Sequence, residues 1–97
     1  MTEKEFLECV VALAAFGGWR LVYHTHRSDR SQPGFPDLVL VRPQHGELVF
    51  AELKSERGRL SPAQQEWLDG LRRAGQEAYL WRPSDMDEIQ ARLTRRR

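Results

Sequence analysis

The sequence predicts an α/β fold, a small mixed sheet with helices packed on it in the order α-β-β-β-α-β-α. Three features carry that reading: capped amphipathic segments, two β-rich runs joined by a tight Pro/Gly turn, and a further β-rich run between the last two helices. With 97 residues the chain is long enough for one real core and leaves little for a second module, so 1–97 reads as a single domain.

The first element is "TEKEFLECVVALAAFGG". Thr2 and Glu5 have the spacing of a capping box, Phe6, Val10, Leu13 and Ala14 form one apolar stripe, and Gly17-Gly18 supplies the stop. "WRLVYHT" reads as a strand, and "HRSDRSQPGFP" as a polar loop with little to pack. "DLVLVR" and "ELVFAELK" are two strands of a hairpin whose connection is Pro43-Gln44-His45-Gly46. "SERGRL" reads as a mobile loop before a helix that Ser61 caps and Pro62 opens, with Trp67, Leu68 and Leu71 on one face and Gly75 ending it. "EAYLWRP" is the fourth strand, and Ser84 is the expected cap of a last helix with Met86, Ile89 and Leu93 inward.

Composition excludes several classes. The apolar content argues against disorder, and no run approaches the roughly 18 apolar residues of a membrane span. Glu3, Glu5 and Glu8 stand where a signal peptide would be basic, so a cytoplasmic location is expected. Cys9 is alone, which excludes an internal disulfide and a multi-cysteine zinc site and suggests a buried helix thiol. His24, His26 and His45 lack zinc-site spacing and read as surface histidines. Trp19, Trp67 and Trp81 fall on core-facing runs, which favours packing over base stacking. Net charge is only +1, yet thirteen arginines stand against two lysines, Lys4 and Lys54. That bias makes Lys54 conspicuous, because a generic surface cation here would usually be arginine.

Charge in the hairpin is the functional signal. A four-residue turn sets Arg42 opposite Glu47, and the same register carried down sets Asp37 opposite Glu52, with Cβ atoms about 4.5–5.5 Å apart. Strand alternation adds Lys54 to that face. Two opposed carboxylates repel, and desolvating both pushes one pKa up. A hard divalent cation between them removes both penalties. Lys54 then sits where an ammonium would orient a water or offset charge developing on a phosphate.

Pro36-Asp37 followed by Glu52-Leu53-Lys54 matches the PD-(D/E)xK nuclease signature. The wider string "GFPDLVLVR…LVFAELKSERGRLSPAQQEWLDGL" resembles the VRR-NUC family, and the likeness runs from about Thr2 to Pro83. The resemblance implies a restriction-endonuclease-like fold and phosphodiester hydrolysis with Mg²⁺ or Mn²⁺. By position it makes Asp37, Glu52 and the backbone carbonyl of Leu53 the metal ligands and Lys54 the residue that assists the water. It also implies a glutamate on the first helix and a glutamine on the helix after the second hairpin strand. Glu3 and Glu5 compete for the first role; Glu5 is the capping-box partner of Thr2, and Glu3 shares a face with Phe6, Leu7 and Val10, so Glu3 is preferred. Gln64 fits the second role and is also spaced for a capping box with Ser61.

The expected activity is therefore a structure-selective DNA endonuclease acting on branched DNA such as Holliday junctions, working as a homodimer with two active sites. Stand-alone members of the family occur in bacteria and phages, so the expected setting is a bacterial or phage-infected cell, with a helicase partner left open. Flap, nicking and exonuclease activities are close rivals. The rival from another class is a non-catalytic nucleic-acid-binding module or a nuclease subunit that acts only with a partner.

Overall fold

The computed structural model describes residues 1–25 and 32–95. Helix α1 (Glu3–Phe16) leads to strand β1 (Leu21–His24), then to β2 (Leu38–Arg42) and β3 (Glu47–Leu53); α2 (Pro62–Arg73) crosses to β4 (Glu77–Trp81), and α3 (Met86–Thr94) closes the chain. This is the predicted element order. The strands form one sheet in the order β1-β2-β3-β4. The first three are antiparallel, and β4 joins β3 in parallel, as a helical crossover requires.

The predicted hairpin register is the observed one, running from Arg42 opposite Glu47 to Leu38 opposite Ala51. The connection is a 3₁₀ turn over Pro43–His45 with Gly46 left-handed at φ 65°. Alternation along the strands separates two faces. Leu38, Leu40, Val49, Ala51, Leu53 and Trp81 face one way and pack with Phe6, Val10 and Ala14 of α1 and Ile89 and Leu93 of α3. Helix α2 serves the other face, where Phe35 bridges Phe50 of β3 and Trp67 of α2. Its buried Leu68 lies outside the main core cluster.

Three expectations need correction. Ser84 does not cap α3: Pro83 begins a 3₁₀ turn through Asp85, and α3 starts at Met86. Pro83 fixes φ for that turn, and Asp85 Oδ2 accepts from the Arg82 N–H at 2.9 Å, closing it. The segment after β3, expected to be loose, is tied down by Arg82, whose guanidinium donates to the carbonyls of Ser55 (2.6 Å), Glu56 (3.2 Å) and Gly58 (2.7 Å). Cys9 is half-buried rather than enclosed. Of the polar loop before β2, residues 26–31 lie outside the described residues, and with them His26, Arg27 and Arg30. Among the described residues no helix is long and apolar enough to cross a membrane.

Candidate active site

The adjoining ends of β2 and β3 meet the first turns of α1 and α2 at a cavity of about 430 Å³. Its lining includes Glu3, Asp37, Leu53, Lys54 and Gln64, together with Lys4, His24 and Thr25. Helix N-termini favour anions, because their first N–H groups have no intrahelical partner, so two of them at one cavity suit a phosphate.

Backbone bonding explains why Asp37 is available. β2 begins one residue later, at Leu38, so Asp37 is outside the ladder. The Thr25 N–H donates to the Asp37 carbonyl at 2.8 Å, and the Thr25 hydroxyl donates to the Pro36 carbonyl at 2.6 Å. With its main chain held, the Asp37 carboxylate reaches across to β3, where Oδ2 accepts the Leu53 N–H at 2.8 Å. Gly34, just upstream, has φ +87°, and a Cβ there would come within 2.5 Å of the Ala63 backbone. Only glycine lets this loop lie against the start of α2.

Glu52 is the last charged residue of β3 and is only 2% exposed. Its Oε2 accepts from Gln64 Nε2 at 3.0 Å, while Oε1 is buried with no hydrogen-bond partner. Burial pushes its pKa up to about 8, with the nearby Asp37 carboxyl adding to the rise and Lys54 pulling the other way. The negative charge of Asp37 acting on Glu52 marks the two side chains as neighbours across the start of β2 and the end of β3.

Gln64 fills both of its predicted positions at once. Its side-chain Oε1 accepts from the Ser61 N–H at 2.8 Å, its own N–H donates to Ser61 Oγ at 3.1 Å, and Nε2 remains for Glu52. Glu5 is taken by its box with Thr2, at 2.8 and 3.1 Å, whereas Glu3 lines the cavity. Sequence reasoning missed Lys4 and Thr25. Both lysines of the arginine-biased chain line this cavity, but the place of Lys4 depends on how α1 docks. Thr25 gave no signal, because its role depends on the β1–β2 pairing.

A divalent cation fits this donor set. Oxygen donors are what hard cations take, and the buried Oε1 of Glu52 lacks any partner within the protein. Among the described residues no group of three or more His, Cys, Asp or Glu side chains gathers, so the set consists of two carboxylates plus backbone.

A four-stranded mixed sheet flanked by helices thus sets Asp37, Lys54 and Gln64 around one cavity, with Glu52 hydrogen-bonded to Gln64. The family model for the VRR-NUC domain matches residues 2–84. The chain belongs to the VRR-NUC family, and its general activity is that of a nuclease. A solved structure described as a VRR_NUC domain protein is similar in fold, with a TM-score of 0.64 at 18% identity, covering 96% of this chain and 90% of that one. No curated protein sequence matches the chain.

Proposed function

We propose that this protein is a metal-dependent, structure-selective DNA endonuclease that hydrolyses phosphodiester bonds in branched DNA such as Holliday junctions. The observation that carries the reading is geometric: Asp37, held on the Leu53 N–H, lines one cavity with Lys54 and Gln64, and Gln64 donates to the buried Glu52, whose other oxygen has no hydrogen-bond partner. Residues 1–97 are read as one nuclease domain acting in the cytoplasm of a bacterial or phage-infected cell.

Asp37, Glu52 and the Leu53 carbonyl would hold Mg²⁺ or Mn²⁺, which supplies a Lewis acid for the phosphoryl oxygen and the positive charge the carboxylates need. Gln64 fixes the Glu52 carboxylate by donating to Oε2, which leaves the other oxygen for a ligand. The Asp37 carboxylate is likewise fixed by the Leu53 N–H. Lys54 orients the attacking water and offsets charge on the phosphate. Glu3 and Lys4 line the same cavity, where the Glu3 carboxylate would accept a proton from the water and Lys4 would bind a non-bridging or neighbouring phosphate oxygen.

Within this domain, recognition would read DNA shape through backbone contacts rather than base edges. A homodimer is supported by an open apolar face. Leu21, Val41 and Leu48 form one row across three strands, Tyr23, Val39 and Phe50 the next, and α2 lies over the β4 side of the sheet.

The test uses labelled four-way junction, flap and linear duplex with Mg²⁺, Mn²⁺ or EDTA, beside Asp37→Asn. Metal-dependent cutting is expected, strongest on the junction, and Asp37→Asn should lose at least about a hundredfold. Binding without cutting under every metal would identify a non-catalytic module instead. Cutting that survives Asp37→Asn would remove the site assignment.

A further inference from the structure

Beyond the catalytic cavity lies a groove of about 490 Å³ lined by Gln32, Pro33, Glu66, Trp67, Gly70 and Leu71. Gln32 and Pro33 line the catalytic cavity as well, so the two spaces adjoin at those residues. The nuclease reading assigns nothing to this groove. We infer that it receives one unpaired nucleobase of the DNA whose phosphate occupies the catalytic cavity, so the inference rests on that reading.

The lining favours a base over a phosphate. Among the described residues it contains no lysine or arginine, and it carries the Glu66 carboxylate, which repels an anion. Glu66 and Gln32 instead offer acceptors for the exocyclic amines of adenine, cytosine or guanine. Trp67, Leu71 and Pro33 supply flat apolar surface. Phe35 meets the Trp67 indole in a T-shaped contact, with ring centroids 5.0 Å apart at 83°, which fixes the indole while leaving it half-buried.

Gly70 is the second, independent sign. It sits inside α2, where glycine is a poor helix former, and a Cβ there would meet nothing within 4 Å. No packing within the described residues requires glycine at this position. The open space beside Trp67 would admit a planar ring against the helix, and a side chain at this position would take up that space.

Fluorescence reads the groove directly, because Trp19 and Trp81 are 1% and 2% exposed and Trp67 is the half-buried third tryptophan. Asp37→Asn protein is titrated with dye-labelled duplexes that end in a short single-stranded extension, either intact or abasic, while dye anisotropy reports binding independently. The intact extension should change tryptophan emission and the abasic one should not. Gly70→Leu, in a helix it should make more stable, should raise the Kd for the intact extension about fivefold or more, the lower end of base–aromatic stacking. On the abasic extension Gly70→Leu should add no further loss, so that the two changes are non-additive. Unchanged emission despite binding, or equal affinity for intact and abasic DNA, would overturn the inference while Mg²⁺-dependent cutting by the native protein kept the nuclease reading intact. Absence of both binding and cutting would remove the two together.

Discussion

Gln64 joins a helix cap to the candidate metal site through the two ends of one amide, and the roles separate by substitution. Gln64→Glu keeps an acceptor for the Ser61 N–H and loses the donor to Glu52, so cleavage should fall about 10–100-fold while helix stability is largely retained. Ser61→Ala should instead cost about 1 kcal/mol in urea unfolding with a smaller effect on turnover. Glu52 makes a second prediction at this scale. Its pKa of about 8 lies above the ordinary carboxylate value because burial and the Asp37 charge favour the protonated form. The folded state thus holds a proton that the unfolded chain has released. The stability this gives is full below about pH 4.5 and is lost as pH rises through about 8, with a slope on the order of 1 kcal/mol per pH unit in metal-free protein. Glu52→Gln, or saturating Mg²⁺, should flatten that slope in urea titrations at successive pH values. The nearness of Asp37 to Glu52 is legible in the sequence alone, because hairpin register and strand alternation are short-range rules. The part Lys4 plays in the lining is not, since it depends on how α1 docks against the sheet.

Elements are held at the far end of the sheet by a charged cluster that the hairpin register revealed only in part. Arg42 and Glu47 pair at 2.5 Å, and Arg92 of α3 reaches Glu47 at 2.9 Å and also binds Glu77 of β4. Both guanidiniums lie against the Trp19 ring, at 4.7 and 5.1 Å from its centroid, and the indole N–H donates to the Leu93 carbonyl at 2.8 Å. Arg42 opposite Glu47 follows from the turn, whereas Arg92 and Glu77 are brought in by the packing of α3, which no local pattern announces. The same distance from local rules explains the misread cap at Ser84, where a 3₁₀ turn precedes the helix. Removing Glu47 would leave two buried arginines short of charge, so Glu47→Ala should cost about 3–5 kcal/mol in urea unfolding without altering the metal site. Burial works to raise the Glu47 pKa, and the hydrogen bond from Arg42 with the charges of Arg92 and Arg42 outweighs it. Its contribution is therefore present above the ordinary carboxylate pKa and is lost as pH falls through the lowered value, the reverse of Glu52.

At the scale of the whole molecule, the uneven covering of the sheet bears on the proposed homodimer. Helices α1 and α3 bury the β2–β3 part of one face, and α2 leaves the β1–β2 side of the other open, where Leu21 is 50%, Tyr23 53% and Leu48 36% exposed. β1 is also an edge strand, with a free row of backbone donors and acceptors. An apolar face bordered by such an edge is a surface that a second copy can cover by a two-fold interface, whereas a monomer would leave it in water. The row Leu21–Val41–Leu48 lies toward the hairpin turn, away from the catalytic cavity at the opposite strand ends, so it can be altered without touching the lining residues. The double variant Leu21→Glu/Leu48→Glu would set carboxylates against their own symmetry mates. Light scattering coupled to gel filtration should then give twice the chain mass for the native protein and the single-chain mass for the variant. On a four-way junction the native dimer should cut two strands within one binding event. The monomeric variant should accumulate singly nicked junction before any second cut. Equal masses for the two proteins, or paired cutting by a monomer, would show that the open face is not where copies meet.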